Sequence, residues 1–129
     1  MSDLYHDTIL DHYKYPRHYG ALPAPDVVVK DENPSCGDCI SVTGTVDTNG
    51  AVKDLAFTAS GCALSVATAS LLTEALIGKT PEEILALTAE DVEKLLETPI
   101  SSGRKKCALL PLIAMQKIAR IVQEKKLKK

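Results

Sequence analysis

Four cysteines, Cys36, Cys39, Cys62 and Cys107, offer the most chemistry in this chain. Cys36 lies in the run Asn33-Pro34-Ser35-Cys36-Gly37-Asp38, which reads as a loop entering a strand. Cys62 follows Gly61 where strand-like sequence gives way to a helical pattern, and Cys107 follows Arg104-Lys105-Lys106. A core cysteine is usually a small buried hydrophobe, but three cysteines at element boundaries are not placed for that. Helix N-termini and neighbouring cations favour the thiolate, the form that binds metal and attacks sulfur. Asp38 stands two residues after Cys36, and in an extended chain residues two apart share a face. Three thiolates and one carboxylate suit a tetrahedral zinc or iron site. Asp38 also has an ordinary reading as a turn residue making an Asx-type hydrogen bond. Cys39 forms C-x-x-C with Cys36, a spacing used for zinc or redox chemistry. Strand parity nevertheless sends Cys39 to the face opposite Asp38, so it is expected to be structural or auxiliary. His6, His12 and His18 are expected at the surface or in local hydrogen bonds rather than as ligands.

The bulk numbers set the frame for such a site. With 129 residues, 45% hydrophobic and 25% charged, the chain has the size and core material of one domain spanning 1–129. It contains one Phe and no Trp, so the core is built from Leu, Ile, Val and Ala. A formal charge of −2 argues against a general nucleic-acid binder. No apolar run approaches the roughly 18–20 residues of a membrane span, and the acidic N-terminal segment carries no apolar signal core. A cytoplasmic, reducing setting is therefore expected, where cysteines bind metal or do thiol chemistry rather than form disulfides.

Several elements must bring these residues together. Residues 2–14 have helical character, with Leu4, Ile9 and Tyr13 as candidates for a buried face, and Pro16 ends it. Val27–Val29 is a short strand. From Cys39 to Val46, Ile40, Val42 and Val46 share one face, and Ser41, Thr43 and Thr45 the other. Asn49-Gly50 signals a hairpin, with a return strand over about residues 51–59 in which Leu55, Phe57 and Ala59 alternate. A buried helix follows Cys62, using Leu64, Ala67, Leu71, Ala75 and Leu76, and stops at Gly78. Thr80-Pro81-Glu82-Glu83 and, less perfectly, Thr88-Ala89-Glu90-Asp91 open two more helices. A last helix covers roughly 106–125, with Leu110, Ala114, Ile118 and Ile121 on its apolar side. Pro111 has no N–H for the carbonyl four residues back and is expected in the first turn, which places Cys107 at the helix start. The order predicts an α+β fold: a small three-stranded antiparallel sheet with an N-terminal helix and several C-terminal helices packed on it.

Read together, these motifs resemble the IscU/SufU/NifU N-terminal-type iron–sulfur cluster assembly scaffolds. The resemblance rests on Asp11-His12-Tyr13 with Pro16-Arg17, on Asn33-Pro34-Ser35-Cys36-Gly37-Asp38, on Gly61-Cys62-Ala63, on Gly78-Lys79-Thr80 and on Lys106-Cys107, and it covers about residues 4–122. It implies a non-enzymatic scaffold that binds iron and accepts persulfide sulfur from a cysteine desulfurase. On it a transient cluster, commonly [2Fe-2S], is built and passed to apo acceptor proteins. Cys36, Cys62 and Cys107 would be metal ligands and sulfur acceptors, and Asp38 the oxygen ligand. Zinc is the other occupant the resemblance implies.

Two features divide the family's members. Lys106 stands where IscU-type members often carry a His before the third cysteine, and the run Arg104-x-Lys106-Cys107-Ala108 is closer to the SufU type. The short interval between Cys62 and Cys107 is closer to the IscU type. Ile100-Ser101-Ser102-Gly103-Arg104 stands where IscU members carry a chaperone-binding motif, which leaves an Hsp70-type partner open. The alternative function is a zinc-dependent sulfurtransferase-like activator of a cysteine desulfurase. A purely structural zinc domain and a C-x-x-C redox enzyme using Cys36 and Cys39 are the remaining readings. The first is disfavoured by an apolar core sufficient without metal, the second by the lack of a thioredoxin-like βαβ pattern.

Overall fold

The computed structural model describes residues 7–33, 37–48, 50–97, 99–100 and 105–127, and the side chains of Asn33, Lys125, Lys126 and Leu127 are not among those described. Leu4, His6, Pro34, Ser35, Cys36, Asn49, Arg104 and the basic end Lys128-Lys129 therefore lie outside it, as does 101–103. The elements run α1 (Asp7–Lys14), β1 (Val27–Asn33), β2 (Asp38–Val46), β3 (Val52–Ser60), α2 (Ala63–Leu76), α3 (Pro81–Leu85), α4 (Ala89–Leu96) and α5 (Lys105–Leu127). The three strands form an antiparallel sheet in the order β1-β2-β3. Helices α2 and α5 pack on it, α5 over β1 and β2 and α2 over β3, while α1 lies on α2 and α3 on α5. This is the α+β architecture expected from the sequence.

Alternation places the core. Ile40 and Val42 on β2 and Leu55 and Phe57 on β3 are buried against the helices. Thr43, expected on the solvent side with Ser41 and Thr45, is buried as well. The segment after α1 crosses the outer face there, and the Leu22 N–H donates to Thr43 Oγ1 at 3.0 Å. Strand β1 runs to Asn33, well past Val29, because Lys30 to Asn33 continue the backbone register against Ser41 to Asp38. Its charged side chains are tolerated at the sheet edge, where Asp31 meets Lys117 of α5 at 2.8 Å.

The helix starts are set by local chemistry. Thr80 Oγ1 accepts the Glu83 N–H at 3.3 Å while Glu83 Oε1 accepts the Thr80 N–H at 3.0 Å. At α4 the Asp91 carboxylate accepts the Thr88 N–H at 2.8 Å, so Asp serves in the place where Glu is usual. Helix α2 is enclosed on nearly every side, which blurs its periodicity: Leu72 and Leu76 are buried, whereas Leu71 and Ala75 are only half-buried. Gly78 takes φ +92° just past the Ile77 cap, the left-handed position that favours glycine.

Two expectations about α1 and α5 are corrected. Tyr13 is 45% exposed; the inward face of α1 carries Ile9 and His12 instead. His12 is neither superficial nor locally bonded: its Nδ1 lies 2.7 Å from Ser70 Oγ of α2, and Nε2 faces Glu74 Oε1 at 3.8 Å. His18 likewise reaches α2, with Nδ1 3.3 Å from Thr73 Oγ1. Pro111 lies within α5, beyond the first turn that begins at Lys105. The Cys107 carbonyl that Pro111 cannot serve instead accepts a hydrogen bond from Ser65 Oγ at 2.8 Å. A tertiary bond thus replaces the helical one, which is what lets the proline sit so far in.

The placement of His12 has a pH consequence. Burial, reinforced by the Arg17 guanidinium, holds the imidazole below its usual value of 6.5, against the pull of Glu74 and Asp11. As pH falls below about 6.5, the unfolded chain takes up the proton before the native one does. Stability therefore drops with acidification until the depressed native pKa is reached. We predict that urea midpoints of the native chain fall from about pH 7 to about pH 5, and that His12→Gln flattens this dependence. Parallel pH profiles for the two chains would refute the assignment.

Candidate metal centre

Asp38 opens β2, opposite Asn33 at the end of the β1–β2 pairing. It shares parity with Ile40 and Val42, so its side chain points inward and is 4% exposed. Cys39, next in the chain, points out. At the far end of β3, Gly61 brings the backbone directly against the carboxylate. A Cβ at Gly61 would collide with Asp38 Oδ1, and its φ of +151° is a conformation that side chains rarely adopt.

Cys62 is the N-cap residue of α2, in extended conformation. Its N–H donates to Asp38 Oδ1 at 3.3 Å, and its thiol lies 3.6 Å from Asp38 Oδ2. The buried carboxylate thus sits at the positive end of a helix, where negative charge is favoured. One turn on, buried Ser65 donates to Asp38 Oδ2 at 2.7 Å and stands 3.6 Å from Cys62 Sγ. Cys107 enters from the first turn of α5, tied to the same serine through its carbonyl. Both Cys62 and Cys107 are half-buried, so the site is reachable from solvent.

The outcome is a cluster of three donors from three elements. A carboxylate oxygen of Asp38, Cys62 Sγ and Cys107 Sγ all lie within 4.8 Å of one another. Tetrahedral coordination with Zn–S near 2.3 Å and Zn–O near 2.0 Å implies donor separations of about 3.5–3.8 Å, which the Cys62–Asp38 pair already meets at 3.6 Å. Two thiols, one carboxylate and a glycine shaped to receive that carboxylate fit zinc or iron. Cys36, two residues before Asp38 in the chain, lies outside the described residues.

The other candidates are elsewhere. Cys39 is exposed in an open groove on the outer sheet face, beside Lys30, Glu32, Ser41, Thr58 and Ser60. Lys106 is exposed in the first turn of α5. His12 and His18 serve the α1–α2 junction. The residue that reading the sequence missed is Ser65. Its signal was present in two parts: a hydroxyl one helical turn after Cys62, and a proline that obliges the Cys107 carbonyl to find another donor.

Comparison with known proteins bears on what this arrangement is. The chain is 36% identical over 114 residues to the iron–sulfur cluster assembly scaffold protein IscU of Streptococcus pyogenes, covering 88% of this chain and 70% of that one. It is 34% identical to the zinc-dependent sulfurtransferase SufU of Bacillus subtilis, covering 91% of this chain and 90% of that one. That alignment runs over 134 positions against a chain of 129, so the relative carries residues absent here. The crystal structure of the N-terminal part of a nitrogen-fixing NifU-like protein from Brucella abortus superposes with a TM-score of 0.78 at 27% identity, covering 95% and 96% of the two chains. The model of the NifU-like N-terminal domain matches residues 4–129, nearly the whole chain, and the chain therefore belongs to that family.

Proposed function

We propose that this chain is an iron–sulfur cluster assembly scaffold, its whole length forming one cluster-building unit. The carrying observation is the convergence of Asp38, Cys62 and Cys107 at a half-buried site drawn from β2, α2 and α5. Cys36 completes the donor set, by analogy with the family pattern. Iron and sulfide are cargo here. The thiolates of Cys36, Cys62 and Cys107 hold iron and receive sulfane sulfur from the persulfide of a cysteine desulfurase, and an external electron donor, such as a thiol reductant, supplies the electrons that take that sulfur to sulfide. Asp38 contributes an oxygen donor that is harder than thiolate and suits iron–sulfur centres less well. A cluster of the [2Fe-2S] type built on such a set is released readily to an apo acceptor. The protein carries rather than turns over, so it is not an enzyme in the ordinary sense.

Half-burial suits that role. Ligands on three different elements are set by the fold before cargo arrives, and a partner can still reach the sulfur atoms. The similarity to IscU and the short chain between Cys62 and Cys107 support cluster building.

One observation favours a second reading. Lys106 stands in the first turn of α5 where a histidine is frequent in IscU-type members, and the similarity to a zinc-dependent sulfurtransferase is as extensive as that to IscU. On that reading zinc holds the thiolates until a desulfurase docks, and sulfur alone is relayed. Anaerobic incubation with iron, cysteine and a desulfurase separates the two. The scaffold reading expects a coloured cluster that moves to an apo-ferredoxin. Tight zinc with faster desulfurase turnover and no cluster uptake would replace it with the relay.

A further inference from the structure

Ser65 has one hydroxyl proton and two acceptors in reach: Asp38 Oδ2 at 2.7 Å and the Cys107 carbonyl at 2.8 Å. The serine is 3% exposed, so water does not share the task. The two acceptors belong to β2 and to α5, and the hydroxyl that reaches both stands on α2. Pro111, four residues after Cys107, withholds the N–H that an uninterrupted helix would direct at that carbonyl. The proline thereby gives Ser65 a reason to reach across, and the reach fixes the start of α5 relative to the carboxylate.

We propose that Ser65 is the positioning residue of the metal centre, setting the separation of Asp38 from Cys107. This rests on the reading of those two residues as ligands. Ser65 does not touch the cargo. Its proton orients Oδ2 while Cys62 N–H holds Oδ1, so the carboxylate is pinned at both oxygens. The same proton, shared with the Cys107 carbonyl as a three-centre bond, anchors the turn of α5 that carries Cys107 Sγ. Partners that orient a ligand in this way are commonly worth about 10–100-fold in metal affinity.

The test uses the purified full chain freed of metal. Zinc affinity is read by competition with a chromophoric chelator, and ligand geometry by the visible bands of bound cobalt(II). Ser65→Ala is expected to weaken zinc by about 10–100-fold and to diminish the tetrahedral cobalt bands, while Ser65→Thr, which keeps the hydroxyl, stays within about threefold of the native chain. Pro111→Ala returns a helical N–H to the Cys107 carbonyl but makes no tie to Asp38, so the double variant Ser65→Ala/Pro111→Ala should regain stability while binding zinc about as weakly as Ser65→Ala. A serine that only satisfied the carbonyl would instead let the double variant recover native affinity. If Ser65→Ala alone does not fold, the double variant, with its carbonyl satisfied, carries the comparison. Native affinity in Ser65→Ala, or in the double variant, would overturn the proposal. A native chain that binds zinc but never builds a cluster would sink the scaffold reading and leave Ser65 standing. A native chain that binds neither metal would sink both.

Discussion

Asp38→Ala is expected to give a chain that keeps a cluster longer and folds less firmly. The two effects have separate causes. In the native chain the buried carboxylate accepts from the Cys62 N–H and from Ser65 Oγ. Alanine leaves the Cys62 N–H without that acceptor, at a cost of about 1–3 kcal/mol, while the Ser65 hydroxyl keeps the Cys107 carbonyl at 2.8 Å. The urea midpoint should fall accordingly. The cluster responds the other way, because the oxygen donor is the member of the set least suited to an iron–sulfur centre. With it gone, the remaining thiolates hold their cargo and the visible absorbance of the reconstituted protein should decay several-fold more slowly under anaerobic conditions. Equal or faster decay would mean that Asp38 is not the release ligand. An unchanged urea midpoint would mean that the carboxylate is not the acceptor its geometry makes it.

Gly61→Ala is expected to be the most damaging single methyl group near the site. Its φ of +151° lies outside the range side chains tolerate, and the added Cβ would overlap the Asp38 carboxylate. The backbone term is of order 1–3 kcal/mol, and relief requires Asp38 to leave its place at the start of α2. Zinc affinity should drop by about 100-fold or more, at the upper end of what misplaced ligands cost. Gly78→Ala is the control. It also sits at positive φ, +92°, but nothing lies within 4 Å of its Cβ position, and it is remote from the cysteines. It should lose comparable stability and bind zinc as the native chain does. If Gly61→Ala binds zinc normally while losing stability, the close approach of Gly61 to Asp38 is structural only.

The residues that were legible in the sequence are those whose signals are local. Thr80 with Glu83, and Thr88 with Asp91, announce their helices because a cap is a contact between residues three apart. The β2–β3 hairpin follows from Gly50, which takes φ +87°. Asp38 and Cys39 separate to opposite faces because strand parity admits nothing else. What escaped is what tertiary packing decides. Tyr13 and His12 sit one position apart on α1, and only the polar face of α2, with Ser70 and Glu74 waiting, explains why the histidine goes in and the tyrosine out. Ser65 is one small residue among several in a buried helix, and nothing local sets it apart. Pro111 was read as a marker of the helix start, since its missing N–H is usually harmless only there. The serine from another element makes it harmless deeper in.

These corrections join at one place. The proline, the serine and the glycine supply no donor to the cluster, but with the aspartate each bears on where Cys62 and Cys107 stand. The site is therefore built less by its cysteines than by the groups that hold them. On the scaffold reading, that suits a temporary carrier: Asp38, Cys62 and Cys107 are held by the fold, and the two thiols are half-buried.

The measurement that bears most directly on the scaffold reading is analysis of iron, zinc and acid-labile sulfide in the protein purified without exposure to air. The account predicts iron and sulfide in equal amounts, with visible charge-transfer absorption that Cys62→Ser and Cys107→Ser each abolish. Zinc at one per chain, with no sulfide even after incubation with iron, cysteine and a desulfurase, would contradict it.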